Sequence, residues 1–319
     1  MDRPDIDPEI AIFVDKLTKA WGEHPPFATL PIEQAREVAE LVRAPWRADG
    51  PQMAETSEHS IPTNSGELRV RLYNPGLGSP APALIYLHGG GFILFSIDTH
   101  DRLMREYAAA GKFCVLGVDY PLSPEARYPT ALNQIVDLVD WLHAGGAESL
   151  GLDPARLAIG GDSAGGNLSI ATALRLRDRG TPDRLKALLL NYGAFAIECS
   201  DDAELRFGGA DAVLQRAEMV HYYESYLGQD GLKSPETYAA PITADLKGLP
   251  PAFLAIPECD ILSEQSYAME EKLKEAGVEV SSVVYRGATH SFLEAMSIAR
   301  VARQAIDDGA HWVAKILGR

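Results

Sequence analysis

Arg156-Leu157-Ala158-Ile159-Gly160-Gly161-Asp162-Ser163-Ala164-Gly165-Gly166-Asn167-Leu168 reads as a strand, a tight turn and the start of a helix. The apolar run 157–159 is short enough for a buried strand, and 165–179 continues at helical spacing. Between them stands Gly161-x-Ser163-x-Gly165, the spacing of a strand-to-helix elbow that exposes a serine hydroxyl. Such a turn strains the serine backbone and brings strand and helix too close for a Cβ at the flanking positions. The helix that follows also aims free N–H groups at any negative charge developing beside the hydroxyl. Glycine and serine are common, and the motif alone fits an ordinary βα turn about as well.

Working outward, short apolar strands are expected at 83–87, 113–118, 157–159, 187–190, 252–256 and 282–285. Helices are expected between them at 98–111, 129–143, 165–179, 264–276 and 297–317. That alternation implies an α/β fold, a mostly parallel sheet with helices on both faces. Residues 55–61 and 67–73 alternate in polarity around Asn64-Ser65-Gly66, which suggests an antiparallel edge hairpin. Two amphipathic helices, 8–21 and 31–43, precede any strand, with Pro25-Pro26 between them and Pro45 ending the second. The pattern lapses between 194 and 250 apart from a helix near 211–227, an insertion too long for a plain loop. The domain expectation is therefore a catalytic unit of 51–193 and 236–319, with a helical cap made from 1–50 and 194–235.

The formal charge of −16 argues against nucleic acid and anionic membrane surfaces as partners. Three cysteines without a CxxC pair fit a reducing compartment rather than a disulfide or zinc framework. The first residues lack the basic-then-apolar pattern of a signal peptide, and no apolar run is long enough to span a membrane. A cytoplasmic location is expected.

An exposed serine needs a base and an acid, arriving in the chain order Ser, acid, His at the C-terminal ends of strands. Only His290 and His311 follow Ser163 and the acids that come after the 252–256 strand. His311 sits inside the terminal helix, whereas His290 follows the 282–285 strand through Gly287-Ala288-Thr289. His290 is the expected base. Glu258 and Asp260 both follow the 252–256 strand and both remain candidates for the acid. His88-Gly89-Gly90-Gly91-Phe92 follows the 83–87 strand, and its unshielded N–H groups suit a tetrahedral oxyanion together with that of Ala164. The run matches neither phosphate-loop pattern. His88 is expected to brace this loop. Asp98-Thr99-His100-Asp101 reads as a helix N-cap with an acidic first turn rather than a metal site.

These pieces together resemble the hormone-sensitive-lipase-like branch of the α/β-hydrolases, in the group with a GDSAG elbow, and most of all its bacterial acetyl esterases. The matching residues are His88 to Phe92, Asp98 to Asp101, Asp119-Tyr120, Ser123-Pro124-Glu125, Tyr128-Pro129, Gly161 to Asn167, Asp260-x-Leu262 and His290-x-Phe292. The resemblance implies a carboxylesterase acting on short acyl esters without a cofactor or metal. It implies a triad of Ser163, Asp260 and His290, which favours Asp260 over Glu258. Oxyanion donors are expected at Gly89, Gly90, Gly91 and Ala164, the first two and Ala164 foremost. Phe92, Phe95, Asp162 and Tyr192 are expected to contact the substrate. Phe95 stands where many relatives carry glycine. An amidase or deacetylase with the same triad is the rival reading, and a ligand-binding protein without turnover is a more distant one. The 282–285 edge strand and the terminal helix could pair two copies into a homodimer.

Overall fold

The computed structural model describes residues 5–209 and 212–318. Eight strands form one sheet: β1 (Glu55–Thr63), β2 (Gly66–Asn74), β3 (Ala81–Leu87), β4 (Cys114–Asp119), β5 (Leu152–Asp162), β6 (Leu188–Asn191), β7 (Ala252–Cys259) and β8 (Val280–Thr289). Their order is β1-β2-β4-β3-β5-β6-β7-β8. The β1–β2 and β2–β4 pairs are antiparallel, and every later pair is parallel. The Asn64-Ser65 turn closes the first hairpin, and Asp137 holds it through the Asn64 amide N–H and side chain at 2.9 and 3.0 Å.

The helices are α1 (Pro8–Gly22), α2 (Ile32–Arg47), α3 (Asp101–Gly111), α4 (Thr130–Trp141), the single turn α5 (Ala147–Ser149), α6 (Ala164–Asp178), α7 (Asp201–Phe207), α8 (Arg216–Lys233), α9 (Ser263–Glu275) and α10 (Arg300–Leu317). Strand β3 shows how the layers arise, because side chains alternate across a pleated sheet. Ala83, Ile85 and Leu87 join Leu132 of α4, Leu168 of α6 and Leu273 of α9 on one face. Leu84 and Tyr86 join Phe13 of α1, Trp46 of α2, Met104 of α3 and Ile306 of α10 on the other. Burial on both faces is why β3 reads as a continuous apolar run.

Several expectations are corrected. Helix α2 continues through Pro45 to Arg47. A proline this close to a helix end disturbs few hydrogen bonds, and Trp46 is 7% exposed against Phe13, ring centroids 4.7 Å apart. The buried face of α2 is Ala35, Ala39, Val42, Arg43 and Trp46, whereas Leu41 is 64% exposed. Strand β5 extends to Asp162 because Gly160 and Gly161 pair with Tyr86 and Leu87 on one side and with Leu189 and Leu190 on the other. Strand β8 runs on to Thr289 after a register shift opposite β7, so Gly287 to Thr289 are strand rather than loop. In the long insertion the expected helix starts at Arg216 behind a capping box of Gln215 and Glu218; its anticipated first residue, at 211, lies outside the described residues. Helix α7 was not anticipated; it is a short helix capped by Ser200, with Leu205 84% exposed and no apolar stripe to reveal it.

Candidate active site

Ser163 sits between the last residue of β5 and the first of α6, with φ 53° and ψ −115°. A non-glycine residue in this region costs on the order of 1–3 kcal/mol and persists only where its surroundings impose it. Here the imposition is visible: the Ser163 N–H donates to Asn191 O at 2.9 Å, and Ser163 O accepts from Ala194 N at 3.2 Å. A Cβ on Gly161 or Gly165 would run into the Leu87 carbonyl oxygen, so β3 and the elbow could not lie this close with any other residue there.

Strands β7 and β8 end beside that elbow and deliver the other two side chains. His290 Nε2 lies 3.0 Å from Ser163 Oγ, and His290 Nδ1 lies 2.7 Å from Asp260 Oδ2. The other Asp260 oxygen accepts from Leu262 N at 3.0 Å, which fixes the carboxylate. Asp260 is 2% exposed, His290 7% and Ser163 9%. An imidazole held between a hydroxyl and a buried carboxylate can take the hydroxyl proton and keep the ring oriented while it carries the charge. The rival Glu258 is engaged elsewhere, accepting from Gly287 N at 2.9 Å. His311 is exposed, with Nδ1 2.6 Å from Asp307 O on its own helix.

A cavity of about 270 Å³ opens over Ser163. Gly90, Gly91, Phe92 and Ala164 line it, and Gly89 does not. A Cβ at Gly89 would meet the Asp162 carboxylate, which places that residue beneath the loop. Of the four expected oxyanion donors, Gly90, Gly91 and Ala164 are the residues that reach the cavity. Ala164 is the first residue of α6, so its N–H has no carbonyl a turn earlier to donate to. His88 braces the loop as expected: Nδ1 is 2.7 Å from Gly89 O, and the ring stacks on Tyr120 at 4.3 Å. Burial, aided by His100, pushes its pKa down to about 3, so it is a neutral ring.

The expected substrate contacts stand at different distances from the cavity. Asp162 touches the cavity wall, but its carboxylate turns inward, accepting from Tyr86 Oη at 2.9 Å and facing His100 Nε2 at 3.3 Å. Burial alone would raise its pKa, yet the charge and hydrogen bond of His100 outweigh that and hold it below the usual aspartate value. Tyr192 lies outside the lining altogether and packs its ring edge-on to His290, centroids 5.1 Å apart. Phe95 does line the cavity, and its ring stands against Gly90, where a Cβ would meet it at 2.9 Å.

Sequence reasoning missed three polar neighbours of the site. His100 is the N-cap of α3 without capping through its side chain; it reaches Asp162, while Asp98 pairs with Arg71 at 2.6 Å and Asp101 accepts from Tyr73 Oη at 2.8 Å. Among the described residues no three of His, Cys, Asp and Glu cluster as a metal-ligand set. Glu218 of α8 and Arg43 of α2 line the cavity, and burial raises the Glu218 pKa even though Gln215 N–H and nearby His290 oppose it. A capping glutamate and an arginine in an amphipathic helix carry no signal that they face a cavity built mostly from other segments.

The family model for the alpha/beta hydrolase fold matches residues 84–294. Among solved structures, a hyperthermophilic esterase from the archaeon Pyrobaculum calidifontis is 30% identical with a TM-score of 0.89, covering 98% of both chains. A thermophilic and thermostable carboxylesterase cloned from a metagenomic library is 31% identical with a TM-score of 0.86, covering 91% of this chain and 99% of its own. A thermostable esterase from Pseudomonas putida is 29% identical with a TM-score of 0.90, covering 99% of both. This elbow, this sheet order and these end-to-end matches have one reading: the chain belongs to the α/β-hydrolase family, in its hormone-sensitive-lipase-like branch.

Proposed function

We propose that this protein is a serine carboxylesterase that cleaves short-chain acyl esters through Ser163, His290 and Asp260. The observation that carries the reading is the unbroken chain of contacts from Ser163 Oγ to His290 Nε2 at 3.0 Å and from His290 Nδ1 to Asp260 Oδ2 at 2.7 Å, at the floor of a cavity. Esterases of the same family with about 30% identity over the whole chain support the reaction class.

Ser163 Oγ attacks the ester carbonyl as His290 removes its proton, and Asp260 stabilises the imidazolium that forms. The carbonyl oxygen becomes an oxyanion held by the N–H groups of Gly90, Gly91 and Ala164, with the N-terminal end of α6 adding its field. Collapse of the intermediate expels the alcohol, protonated by His290. Water then attacks the acyl-enzyme by the same route and frees the acid. The described parts of the cap segments, 5–50, 194–209 and 212–235, act as a cover: Trp21, Phe27, Tyr222 and Met219 contribute to the cavity wall from outside the sheet.

Measuring turnover of 4-nitrophenyl acetate, butyrate and hexanoate beside a matched anilide tests this reading. Comparable rates on ester and anilide would favour the amidase alternative instead. No described helix is long and apolar enough to cross a membrane, and the charge of −16 supports a protein that leaves nucleic acid alone. Three cysteines without a CxxC pair support the cytoplasm. Edge strand β8, with Val284 43% exposed, supports pairing into a homodimer, which light scattering on the purified protein would test.

A further inference from the structure

Helix α8 brings Glu218 and Tyr222, one turn apart and so on one face, to the wall of the cavity. Glu218 is half-buried, and its Oε2 accepts from the Gln215 N–H at 2.9 Å. Its Oε1 has no hydrogen-bond partner among the described residues, yet it is not one of the unpartnered side-chain atoms sealed from solvent. The carboxylate is therefore engaged through one oxygen and open at the other. The Tyr222 phenol and the His290 imidazole, both in the cavity wall, feel its charge, which sets the carboxylate on the cavity side of α8.

The other titratable groups of the wall are met. Arg43 pairs with Glu294 at 2.8 Å, Asp162 faces His100 at 3.3 Å, and His290 holds Asp260 at 2.7 Å. Glu218 has no ion-pair partner among the described residues. The wall beside it is aromatic: the Tyr222 ring stands 6.1 Å from Phe27, whose ring is 6.5 Å from Trp21, each pair edge-on, and all three line the cavity. Aromatic faces attract a cation. A half-buried carboxylate gains from one as well, because a nearby cation offsets the burial that raises its pKa. A second carboxylate is repelled there, and an alkyl group gains nothing from Oε1.

We infer that Glu218 is a specificity-determining residue, and that the substrate of the Ser163 site is an ester carrying a positively charged ammonium group, on its acyl or its alcohol part. That group sits between the Glu218 carboxylate and the aromatic wall of Trp21, Phe27 and Tyr222. The inference rests on the esterase reading and narrows it. The site then discriminates against neutral esters of the same shape, because these leave the carboxylate without a counter-charge in the complex.

The test compares kcat/KM within two pairs matched in shape and differing in charge. Acetylcholine against 3,3-dimethylbutyl acetate probes the alcohol side, and 4-nitrophenyl 4-(trimethylammonio)butyrate against 4-nitrophenyl 5,5-dimethylhexanoate probes the acyl side. The wild-type protein favours the charged member of one pair by about 10-fold or more, and that pair identifies the side. Glu218→Gln keeps an oxygen for the Gln215 N–H but removes the charge, and it lowers this ratio by about fivefold or more, whatever it does to the turnover common to both esters. A wild-type ratio at or below one in both pairs overturns the inference. So does a preference that Glu218→Gln leaves unchanged, which belongs to the net charge of −16 rather than to this carboxylate. Should the variant fail to fold, inhibition of wild-type turnover of 4-nitrophenyl acetate decides. Choline inhibits at a concentration about 10-fold below 3,3-dimethylbutanol, and the difference persists in about 0.5 M NaCl, where distant charges are screened. Equal inhibition, or a difference that salt removes, overturns the inference. A wild-type protein inactive on every ester refutes the esterase reading itself; activity without charge preference refutes only this step.

Discussion

His100 Nε2 faces Asp162 Oδ2 at 3.3 Å beside the elbow, so the residue before Ser163 is anchored from the start of α3 rather than from its own turn. Burial drives the His100 pKa down, but the Asp162 carboxylate more than reverses this and holds it above its ordinary 6.5. Asp162, for the same reason, sits below its ordinary 3.8.

The pair makes stability depend on pH with a definite sign. The His100 contribution is complete below its unfolded value of 6.5 and is lost as pH rises through the raised folded value. The Asp162 contribution is complete above 3.8 and is lost as pH falls through the lowered folded value. His88, buried neutral with its pKa pushed down to about 3, works against acid, so its stabilisation fades between 6.5 and about 3. From pH 6.5 up to about 9, where the raised thiols Cys114 and Cys199 begin to contribute, the slope therefore belongs to His100. Wild-type Tm is expected to fall from pH 6.5 upward, and His100→Gln to remove part of that fall. Parallel Tm–pH curves for the two proteins would contradict the pairing.

Ser163→Ala removes one oxygen from a backbone held by Asn191 and Ala194, so the fold should persist. Turnover should drop by at least about 10⁴-fold. His290→Gln should do nearly the same, whereas His311→Gln, on an exposed helix face, should leave kcat within about twofold. Substantial residual kcat in Ser163→Ala, with Tm unchanged, would dismiss the serine mechanism.

Phe95 stands against Gly90 and over the Arg43 guanidinium, on the wall nearest the proposed oxyanion donors. Its φ of 68° is one that glycine takes readily, so Phe95→Gly is compatible with the backbone. Losing the ring should raise the hexanoate-to-acetate ratio of kcat/KM by about 10-fold, since a pocket discriminates by roughly 1–3 kcal/mol per methylene. If the ratio holds while Tm drops, the ring only packs.

The N-terminal helices can be tested one side chain at a time. Phe13 is fully buried beside Trp46 in the α3–α10 layer, and Phe13→Ala should cost about 3–5 kcal/mol. Leu41 on α2 is 64% exposed, and Leu41→Ala should stay within about 0.5 kcal/mol. Equal losses in urea denaturation would mean that α2 packs through a different face.

The sequence by itself determined the alternation of strands and helices, the elbow at Ser163 and the histidine that stands 3.0 Å from its hydroxyl. Those features are local: a buried parallel strand must be continuously apolar, a tight elbow must have glycine where strand and helix meet, and the base must follow a strand late in the chain. The choice of Asp260 over Glu258 needed the family resemblance, and the geometry agrees with it through the 2.7 Å contact to His290. The tertiary structure decided what depends on distant segments meeting. Trp46 extends α2 past Pro45 because Phe13 waits for it, and β8 reaches Thr289 because β7 still offers a ladder there. The Asp162 carboxylate meets His100, Gly89 packs on Asp162, and Arg43 finds Glu294 251 residues away. No periodicity encodes such meetings, because direction and burial of a single polar side chain are set by what packs around it, not by its neighbours in the chain.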